Sequence, residues 1–567
     1  MNRLTGNLLA LAGWPARKRL RRARIRFAEA TRNCREVQHR TLASLLDLNR
    51  DSHFARDYRL TTARTVNDLR QSVPVSSYEL FRPYIDQMKA GDHRGLLGKQ
   101  NELLMFSLSS GTTSESKFIP ITRRFFDDYR RGWQLWGIRA FDQHSGLKSS
   151  SILQISSNYD RFRTAGGTPC GNISGLAAKV QHPIIRQLYT LPIEIVQIPE
   201  PEARYYTAMR LAVADPTIGM ITTANPSTLV HMAQLANRQR EAIIRDIFDG
   251  TVSPPCELPS SVRHALASRV GRANRQHAQM LEQIVNRTGA LHPSEYWRQL
   301  ELITVWTGGS CASYLPSVRE LYGDRPICDH GLSASEGRMT IPFEDESSDG
   351  VLDIISHFFE FIPEEEYGTQ RPTVLEAHEL EEGRDYYILL STSSGLYRYD
   401  ICDVVRCTGF METVPILRFL HKGAHISSVT GEKLSESQVV DAMQSTLREF
   451  DHRVNFYTFI PVWGDPPAYR LLLESPEVPA DQRLRQFEEA LDDRLSEQNC
   501  EYREKRQTGR LAPLRVLPLR NGSWTEFAQQ RQKTTGGSVE QYKHPCLLPQ
   551  MEVAEQVRRE FALQPQI

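Results

Sequence analysis

The chain has 567 residues, more than one hydrophobic core usually organises, so we expect at least two domains. Hydrophobic residues make up 40% of the chain and charged residues 24%, a composition typical of soluble globular proteins. The 69 Lys and Arg residues are balanced by 68 Asp and Glu residues, which gives no support for a nucleic-acid or membrane partner over the whole surface.

The cysteines and the hydropathy pattern narrow the class of protein further. Nine cysteines without a Cys-x-x-Cys pair argue against a disulfide scaffold or a structural zinc site and favour the reducing cytoplasm. No run of about 18 apolar residues occurs, so we expect no membrane-spanning helix. The apolar stretch LLALAGW precedes the first basic residues of the following segment, which is the wrong order for a secretory signal.

The first predicted helix is strongly basic. Seven of the ten residues in 17–26 are Lys or Arg. Leu20, Ala23, Phe27 and Ala30 recur at helical spacing, so the basic residues form the outer face of an amphipathic helix. This outer face is interpreted either as a solvated surface or as a contact with a membrane surface.

The rest of the first hundred residues reads as helical, with a break at QSVPVSSYELF. Strand-like and helical runs then alternate, which favours an α/β sheet architecture. The predicted strands are SSILQISS (150–157), IEIVQIP (193–199), TIGMITTA (217–224) and LITVWTGG (302–309). A long helical stretch, NPSTLVHMAQLANRQREAIIRDIFDG, separates the last two of these strands.

The pattern changes twice in the second half of the chain. Short strands with turns between them fill 351–420 and suggest a barrel or a second sheet. A fresh α+β pattern follows a Gly/Ser/Thr cluster near 423–430, which allows a flexible crossing. The sequence therefore predicts a mixed α/β (α+β) fold. A large N-terminal domain, residues 1–423, contains α/β sheets and a β-barrel-like subdomain, and a smaller, mobile α+β domain spans 424–567.

The stretch SLSSGTTSESKFIPIT, residues 107–122, gathers hydroxyl side chains around Gly111 and follows them with Lys117. Phosphate oxygens need several close donors, and hydroxyls, backbone N–H groups beside a glycine and a lysine supply them. The spacing differs from that of a Walker loop. On its own, this stretch predicts either a phosphate site or a polar turn between two strands.

Three further stretches favour the phosphate site. They are VWTGGSCASYLP (305–316), DHGLSASEG (329–337) and GLYRYDICDVV (395–405). In order and spacing, these stretches and the first motif resemble the adenylate-forming enzymes, the superfamily of firefly luciferase and the acyl-CoA ligases.

A more specific resemblance is to the auxin-responsive (Gretchen Hagen) acyl-acid amido synthetases and their bacterial relatives. That branch has motifs similar to SSGTT, TGGSCASYLP, LSASE, LYRYDICDVV and VEQYKHP of this chain, and a segment similar to IIRDIFDGT. The resemblance extends from about residue 35 to residue 547, which is nearly the whole chain. Any one of the five ordered motifs is a weak signal, but together they are specific.

The chain departs from the family pattern at several motif positions. Leu332 stands where the family has an aromatic residue that stacks on adenine, and Asp400 and Cys402 replace an arginine and a glycine. These changes keep open the interpretation of a divergent member with weakened nucleotide binding. The other departures are Ser114, Ser116, His544 and Cys546.

The resemblance implies a two-step reaction. An acyl acid attacks the α-phosphorus of ATP, giving acyl-adenylate and pyrophosphate, and an amine then attacks the activated carbonyl and releases AMP.

ATP and Mg²⁺ are the implied cofactors. Glu336 is implied to bind Mg²⁺, Asp403 to accept hydrogen bonds from the ribose hydroxyls, and Lys543 to act as the catalytic cation that the small domain brings to the α-phosphate. The residues implied to bind ATP or to line the acyl side are Ser109, Ser110, Gly111, Thr112, Thr113, Lys117, Thr307, Gly308, Gly309, Ser310, Ser335, Asp403 and Lys422.

Three functions remain open at this point. The first is an ATP-dependent ligase that joins a carboxylic acid to an amine or amino acid. The second is an acyl-CoA ligase, and the third is a non-catalytic nucleotide-binding protein that kept the fold. The expected partners are small molecules, with no nucleic acid and no membrane span, and the default expectation for the oligomeric state is a monomer.

Overall fold

Helices and sheets alternate along the chain, which confirms the predicted mixed fold class. The computed structural model describes residues 14–109, 117–267, 269–423, 426–427, 429–430, 432, 434–464, 466–507, 509–535, 544–549 and 551–563. The domain boundary between residues 423 and 424 stays a prediction.

Five helices open the described chain. The first buries Phe27 and exposes most of its basic side chains, as predicted, and Arg21 pairs with Asp142 at 2.6 Å. The break predicted at QSVPVSSYELF lies between the fourth and fifth helices. The bounds are α1 (Trp14–Ala30), α2 (Cys34–Asn49), α3 (His53–Asp57), α4 (Val66–Ser72) and α5 (Tyr78–Lys89).

A four-stranded sheet and a long helix follow. Strands β1 and β2 form an antiparallel hairpin, and β1 also pairs in parallel with β5, so the strand order is β2-β1-β5-β4. The elements are β1 (Leu103–Ser109), β2 (Lys117–Thr122), α6 (Arg123–Gln143), β3 (Ser151–Gln154), β4 (Phe162–Arg163) and β5 (Pro169–Gly171).

The predicted α/β region contains a parallel four-stranded sheet of order β3-β6-β7-β8. Parallel strands place their carboxyl ends at one edge, where ligands bind in open α/β sheets. The strands are β6 (Ile218–Thr222), β7 (Leu302–Thr304) and β8 (Ile327–Cys328). The helices are α7 (Ile173–Lys179), α8 (Pro183–Arg186), α9 (Pro201–Val213), α10 (Pro226–Arg238), α11 (Arg240–Asp249), α12 (Ser260–Ala267), α13 (Arg275–Thr288), α14 (Pro293–Tyr296) and α15 (Leu315–Tyr322).

Two details of this region differ from the prediction. The run IEIVQIP is a 3₁₀ helix, Ile193–Gln197, because Ile195 and Ile198, three residues apart, both pack into an apolar cluster with Leu211. The long helical stretch is two helices, α10 and α11, which meet at Gln239. The strand predicted at IEIVQIP was therefore wrong. The long stretch is helical, as predicted, but it forms two helices instead of one.

The β-rich segment is a seven-stranded antiparallel sheet of order β11-β12-β17-β16-β15-β13-β14. The edges are β11 and β14, so the barrel-like subdomain is an open sheet. The seven strands of the sheet are β11 (Thr340–Ile341), β12 (Gly350–Leu352), β13 (Phe358–Pro363), β14 (Leu375–Glu376), β15 (Asp385–Ser391), β16 (Tyr399–Met411) and β17 (Val414–Lys422). Before it, β9 (Ser333–Ala334) and β10 (Gly337–Arg338) form a separate two-stranded sheet, and after it β18 (Ile426–Ser427) pairs with Leu434–Ser435.

The C-terminal region is α+β, as predicted. A three-stranded sheet of order β20-β21-β22 packs with helices, and α16 begins with a capping box between Ser435 and Gln438. The elements are β19 (Leu434–Ser435), α16 (Glu436–Glu449), β20 (Thr458–Val462), β21 (Ala468–Glu474), α17 (Asp481–Gln498), α18 (Cys500–Gln507), β22 (Ala512–Leu519), α19 (Ser523–Thr535) and α20 (Met551–Phe561).

None of the helices in the described ranges is both long and apolar enough to cross a bilayer.

His357 makes the folded state sensitive to acid. Its ring is 2% exposed and packs against Phe125 and Phe359, with centroid distances of 5.6 and 6.0 Å. Burial disfavours the charged imidazolium and lowers the pKa of His357 to about 4 from its usual 6.5. The unfolded chain therefore binds more protons than the folded protein between these two pH values.

We expect this histidine to contribute about 2 kcal/mol to the loss of stability between pH 7 and pH 5. The direction follows from the lowered pKa, since a proton that only the unfolded state binds favours unfolding as the pH falls. Urea unfolding of the wild type and of His357→Gln at both pH values measures the loss of unfolding free energy on acidification. The wild type should lose about 2 kcal/mol more than the variant on acidification. Equal losses in the two proteins would contradict the assignment.

Candidate active site

The described residues on either side of the first predicted motif belong to β1 and β2. Ser109 at the end of β1 pairs in register with Lys117 at the start of β2. The Lys117 ammonium lies 5.7 Å from the ring centroid of Tyr78. Ser107, also on β1, donates a hydrogen bond from Oγ to Oγ of Ser335 at 3.1 Å, which joins the first motif to the LSASE motif. Four predicted site residues lie outside the described residues: Ser110, Gly111, Thr112 and Thr113.

The second motif begins at the carboxyl end of the parallel sheet. Thr307 follows β7, and both its backbone N–H and its hydroxyl donate to Oδ2 of Asp329, at 2.5 and 2.7 Å. Asp329 follows the neighbouring strand β8 and also accepts a hydrogen bond from the backbone N–H of Gly331. A single buried carboxylate therefore fixes the turns after two adjacent strands.

Gly308 and Gly309 allow the chain to approach β17. Gly309 has a φ of +56°, and a Cβ atom at this position would lie 2.9 Å from the Phe419 ring. A side chain there would therefore be strained and would also clash. Gly309 starts a 3₁₀ helix, Gly309–Tyr314, which includes Ser310. Tyr314 at its end contacts Phe456 of the C-terminal region, with a centroid distance of 5.3 Å.

The remaining predicted residues of the large domain form a charged cluster. Asp403 on β16 and Lys422 on β17 are register partners, and their side chains form an ion pair. The Lys422 ammonium also donates to the carbonyl of Ile401 at 3.3 Å. The Glu336 side chain, in the turn between β9 and β10, is close enough for its charge to act on both members of the pair. The LSASE motif and the LYRYDICDVV motif thus meet, although they are far apart in sequence.

Burial and the neighbouring charges shift the pKa values of the ionisable groups in this cluster. Burial raises the pKa of the Glu336 carboxyl, which is only 7% exposed, and the positive charges of Lys422 and Lys117 offset part of that shift. Burial alone lowers the pKa of Lys422, but the Asp403 carboxylate outweighs it, so the net pKa is raised. Lys422 is therefore charged at neutral pH.

Tyr399 is a further polar group beside this cluster. Its side chain is fully buried, and its hydroxyl has no hydrogen-bond partner among the residues that the structure describes. Burial and the nearby Glu336 charge raise the pKa of Tyr399. A buried hydroxyl without a partner is unusual, and its position favours a contact with a ligand. Tyr397, by contrast, donates to the carbonyl of Leu45 at 3.1 Å and belongs to the core.

The two departures in the LYRYDICDVV motif, Asp400 and Cys402, contact one another. Asp400 accepts hydrogen bonds from the Tyr367 hydroxyl at 2.6 Å and from the backbone N–H of Cys402 at 2.7 Å. Tyr367 stacks on Tyr387 with a centroid distance of 3.6 Å. Gly423 packs directly on the Tyr387 ring, where a Cβ atom would lie 2.5 Å from the nearest ring carbon. Asp400 therefore has a structural partner in Tyr367.

The QYKHP tail is anchored immediately after Lys543, which itself lies outside the described residues. His544 is 3% exposed, and its Nε2 contacts the Thr458 hydroxyl at 2.9 Å. The backbone N–H of Cys546 donates to the Glu436 carboxylate at 2.7 Å. Both substituted positions of the tail thus help to hold it against the C-terminal sheet.

The sequence analysis did not identify three contributors to the site. They are Asp329, Ser107 and the hydroxyl of Tyr399, which has no hydrogen-bond partner among the described residues. A carboxylate directly after a strand, in a sheet whose other strands end in motif residues, was a usable signal for Asp329. Ser107 lies inside a strand, and only the contact with Ser335 reveals its role. Whether the Tyr399 hydroxyl has a partner depends on tertiary packing alone.

The cluster suits a magnesium ion that is held mainly by substrate phosphates. No group of three or more His, Cys, Asp or Glu side chains in the described part of the chain is arranged as a metal site. Mg²⁺ often uses only one or two carboxylates and completes its coordination with phosphate oxygens and water. Glu336, a buried carboxylate whose pKa is raised, has the chemistry to be one such ligand, and a nearby cation would stabilise its charged form.

Comparison with protein families finds three matching domains along the chain. The GH3 family N-terminal domain matches residues 23–327, the GH3 family central domain matches residues 350–422, and the GH3 family C-terminal domain matches residues 437–552.

Individual relatives match at low identity over nearly their full length. The chain is 22% identical to indole-3-acetic acid-amido synthetase GH3.3 of Arabidopsis thaliana, over 92% of this chain and 91% of the relative. It is 24% identical to jasmonoyl–L-amino acid synthetase GH3.5 of Oryza sativa subsp. japonica, over 92% of this chain and 93% of the relative. The solved structure of GH3.15 acyl acid amido synthetase in complex with 2,4-DB has a TM-score of 0.84 and 19% identity, and the match covers 96% of each chain. This structural likeness establishes the fold.

Proposed function

Because this chain belongs to the GH3 family, we propose that it is an ATP-dependent acyl acid amido synthetase. It activates a carboxylic acid as an acyl-adenylate and transfers the acyl group to an amine or amino acid. Membership of the family confirms the resemblance that the five ordered motifs predicted. The observation that carries the proposal is the meeting of Glu336, Asp403 and Lys422 beside the hairpin that bears the first motif.

The charges of the cluster match the needs of the first step. A carboxylate and a triphosphate repel each other, so attack on the α-phosphorus requires neutralisation of the phosphates. Lys422 and Lys117 supply positive charge at the site, and Ser109 and the other hydroxyls of the first motif supply donors for the leaving pyrophosphate. Mg²⁺ bound through Glu336 would add Lewis-acid polarisation of the phosphate oxygens.

The other predicted residues have positioning roles in this proposal. Asp403 holds Lys422 and accepts hydrogen bonds from the ribose hydroxyls, since a carboxylate has lone pairs for both tasks. Thr307, held by Asp329, lines the adenine or acyl side of the site together with Gly308, Gly309 and Ser310. Lys543 meets the negative charge that develops on the α-phosphate during attack. In the second step an amine attacks the acyl carbonyl and AMP leaves.

Two assays test the proposed function. ATP–pyrophosphate exchange with a panel of acids, including indole-3-acetic acid, jasmonic acid and 2,4-DB, detects adenylation, and hydroxylamine traps the activated acyl group. Mass spectrometry with amino acids or with CoA then identifies the product. An amide supports the proposal, whereas a thioester identifies an acyl-CoA ligase. Absence of exchange with every acid would favour the non-catalytic interpretation.

Asp403→Asn should weaken ATP binding by about 1.5–3 kcal/mol, because an amide has one good acceptor oxygen where the carboxylate has two charged ones. Isothermal titration calorimetry measures the nucleotide Kd, and circular dichroism checks the fold. Asp385→Asn is the matched control, since Asp385 lies on β15 and pairs with the surface residue Arg406. A nucleotide Kd that is the same in Asp403→Asn as in the wild type would remove Asp403 from the ribose site.

We also infer a cytoplasmic location and a monomeric state for the enzyme. The eight cysteines whose side chains the structure describes are free thiols, which suits a reducing compartment. Size-exclusion chromatography with light scattering measures the oligomeric state directly.

A further inference from the structure

The first helix, α1, presents a positive surface that the proposed reaction does not use. Four of its basic side chains fall within about 100° of one another around the helix axis, because each residue turns the helix by about 100°. These four residues, the basic face of α1, are Lys18, Arg19, Arg22 and Arg26. All four are exposed, and no carboxylate among the described residues forms an ion pair with them.

The other sides of α1 are occupied by the protein itself. Phe27 is buried, and Ala23 packs against the same apolar core. On one flank, Arg21 and Arg24 share the carboxylate of Asp142 on α6, at 2.6 and 3.7 Å. The core contact and these ion pairs fix the rotation of the helix about its axis, and the basic face is left toward solvent.

The charges of α1 do not serve the stability of the helix. A helix dipole favours acidic side chains at the N-terminal end and basic ones at the C-terminal end, but α1 has no acidic residue in its first turn and no basic residue in its last. Its single acidic residue is Glu29, near the C-terminal end. Lys18, Arg22 and Arg26 follow one another at the i, i+4 spacing, where like charges repel. Such a surface is better explained by a partner outside the helix.

Two large apolar side chains border the basic face. Trp14 is 55% exposed and Ile25 is 57% exposed. They lie three helical turns apart, so both project from the same side of α1, about 16 Å from each other along the axis. The Lys18 ammonium lies 5.0 Å from the ring centroid of Trp14, so Trp14 adjoins the basic face directly. The outer surface of α1 therefore combines positive charge with two apolar groups.

This combination is complementary to a membrane surface that contains anionic phospholipids. The negative surface potential attracts clustered basic residues, and the interfacial layer receives the amphipathic ring of a tryptophan. A nucleic acid would match the charges, but its phosphate backbone offers no apolar layer for Ile25. Domains that bind nucleic acids are also strongly basic as a whole, whereas this chain has a formal net charge of +1.

We propose that α1 attaches the protein peripherally to a bilayer that contains anionic phospholipids. The helix lies parallel to the surface, with the basic face over the headgroups and with Trp14 and Ile25 in the interfacial layer. The attachment is reversible, because a few charges and two apolar side chains supply far less attraction than a membrane-spanning helix. This inference does not depend on the proposed function, since no residue of α1 belongs to the candidate active site.

Co-sedimentation with vesicles measures the partition coefficient of the full chain. One set of vesicles contains phosphatidylcholine alone, and the other contains phosphatidylcholine mixed with phosphatidylserine. The wild type should sediment with the mixed vesicles at low salt and stay in solution with phosphatidylcholine. Added salt should release it, because screening shortens the range of the attraction. Absence of binding to the mixed vesicles at low salt would overturn the inference.

Two variants of α1 test the surface itself. Arg19→Gln/Arg22→Gln/Arg26→Gln should lower the partition coefficient about 100-fold, since each charge near an anionic surface contributes about fivefold. Trp14→Ala keeps every charge and should lower the coefficient about tenfold, because it removes the interfacial anchor. All of these side chains are exposed, and circular dichroism checks that the fold is kept. An unchanged partition coefficient in either variant would contradict the proposal.

A charge-matched control separates α1 from net charge. Arg245→Gln/Arg263→Gln/Arg272→Gln removes three exposed arginines from α11, from α12 and from the segment after α12, and should keep vesicle binding. Equal losses in the two triple variants would overturn the inference. Fluorescence anisotropy with a DNA duplex and an RNA hairpin tests the other polyanions. Tighter binding of either one than of the mixed vesicles, lost in the α1 triple variant, would assign the basic face to nucleic acid instead.

The rate of ATP–pyrophosphate exchange without vesicles should be the same in the α1 variants as in the wild type. A loss of exchange in these variants would give α1 a role in the reaction and would contradict this inference. If the wild type itself shows no exchange with any acid, the proposed function fails, whereas vesicle binding is still measured and decides the role of α1.

Discussion

Glu336→Gln should lower the rate of ATP–pyrophosphate exchange by a factor of about 100 or more. The substitution keeps the shape of the side chain and removes its charge. Mg²⁺ prefers charged carboxylate oxygen, so the variant should also need a higher Mg²⁺ concentration for half-maximal rate. Exchange rates over a Mg²⁺ titration measure both effects, and circular dichroism checks that the fold is kept.

The pH profile gives a second readout for the same residue. Burial raises the pKa of the Glu336 carboxyl above its usual 4.5, so the wild type should lose exchange activity on acidification at a higher pH than an exposed glutamate requires. Glu336→Gln should lack this acidic limb. Glu382→Gln, at an exposed position, is the control. Exchange at the wild-type rate in Glu336→Gln, with an unchanged Mg²⁺ requirement, would exclude Glu336 as a metal ligand.

Glu360→Gln should destabilise the protein by about 3–5 kcal/mol, because it leaves a buried guanidinium without its counter-charge. The Glu360 side chain on β13 is 1% exposed and accepts hydrogen bonds from Arg398 at 2.9 Å and from Arg70 at 2.8 Å. Arg398 also donates to the carbonyl of Val73 at 2.8 Å. This network joins α4 and the segment after it to the start of β16, which carries Asp403.

Chemical denaturation of the wild type and of Glu360→Gln measures the change in free energy of unfolding. Glu365→Gln is the matched control, since Glu365 forms an exposed ion pair with Arg384 and should change stability by less than about 1 kcal/mol. Equal, small effects of the two substitutions would show that the buried network contributes little. Because Arg398 lies within the LYRYDICDVV motif, the Glu360 variant should also bind ATP more weakly at temperatures where it remains folded.

Much of the site could be predicted because its residues occur in short motifs whose order is itself informative. Thr307, Ser335, Glu336 and Asp403 were named from such motifs, and Lys422 from its position at the end of the predicted large domain. The structure joins Ser335 to the β1–β2 hairpin and brings Glu336, Asp403 and Lys422 together. What each of them contacts did not follow from the motifs. The roles of these residues toward ATP stay predictions, as do those of Lys543 and of the hydroxyl residues that lie outside the described ranges.

The wrong strand shows where local patterns are insufficient. IEIVQIP is short and rich in Ile and Val like a strand, but Ile195 in a 3₁₀ helix and Ile198 directly after that helix are buried together. A short run is compatible with either period, and packing against α9 and α12 decides between them. In contrast, longer periodic segments such as α6 and β16 are determined mainly by their own residues.

The sequence by itself determined the family, the mixed fold class and most elements, because five ordered motifs and the hydrophobic periods of 2 and 3.6 are local properties of the chain. Only the tertiary structure decided that Lys422 pairs with Asp403 beside Glu336, that Asp329 holds Thr307, and that one flank of α1 pairs with α6. Charge pairing and burial depend on which segments the fold brings within a few ångströms of one another. Contacts between residues so far apart in the chain have no signature in a single sequence.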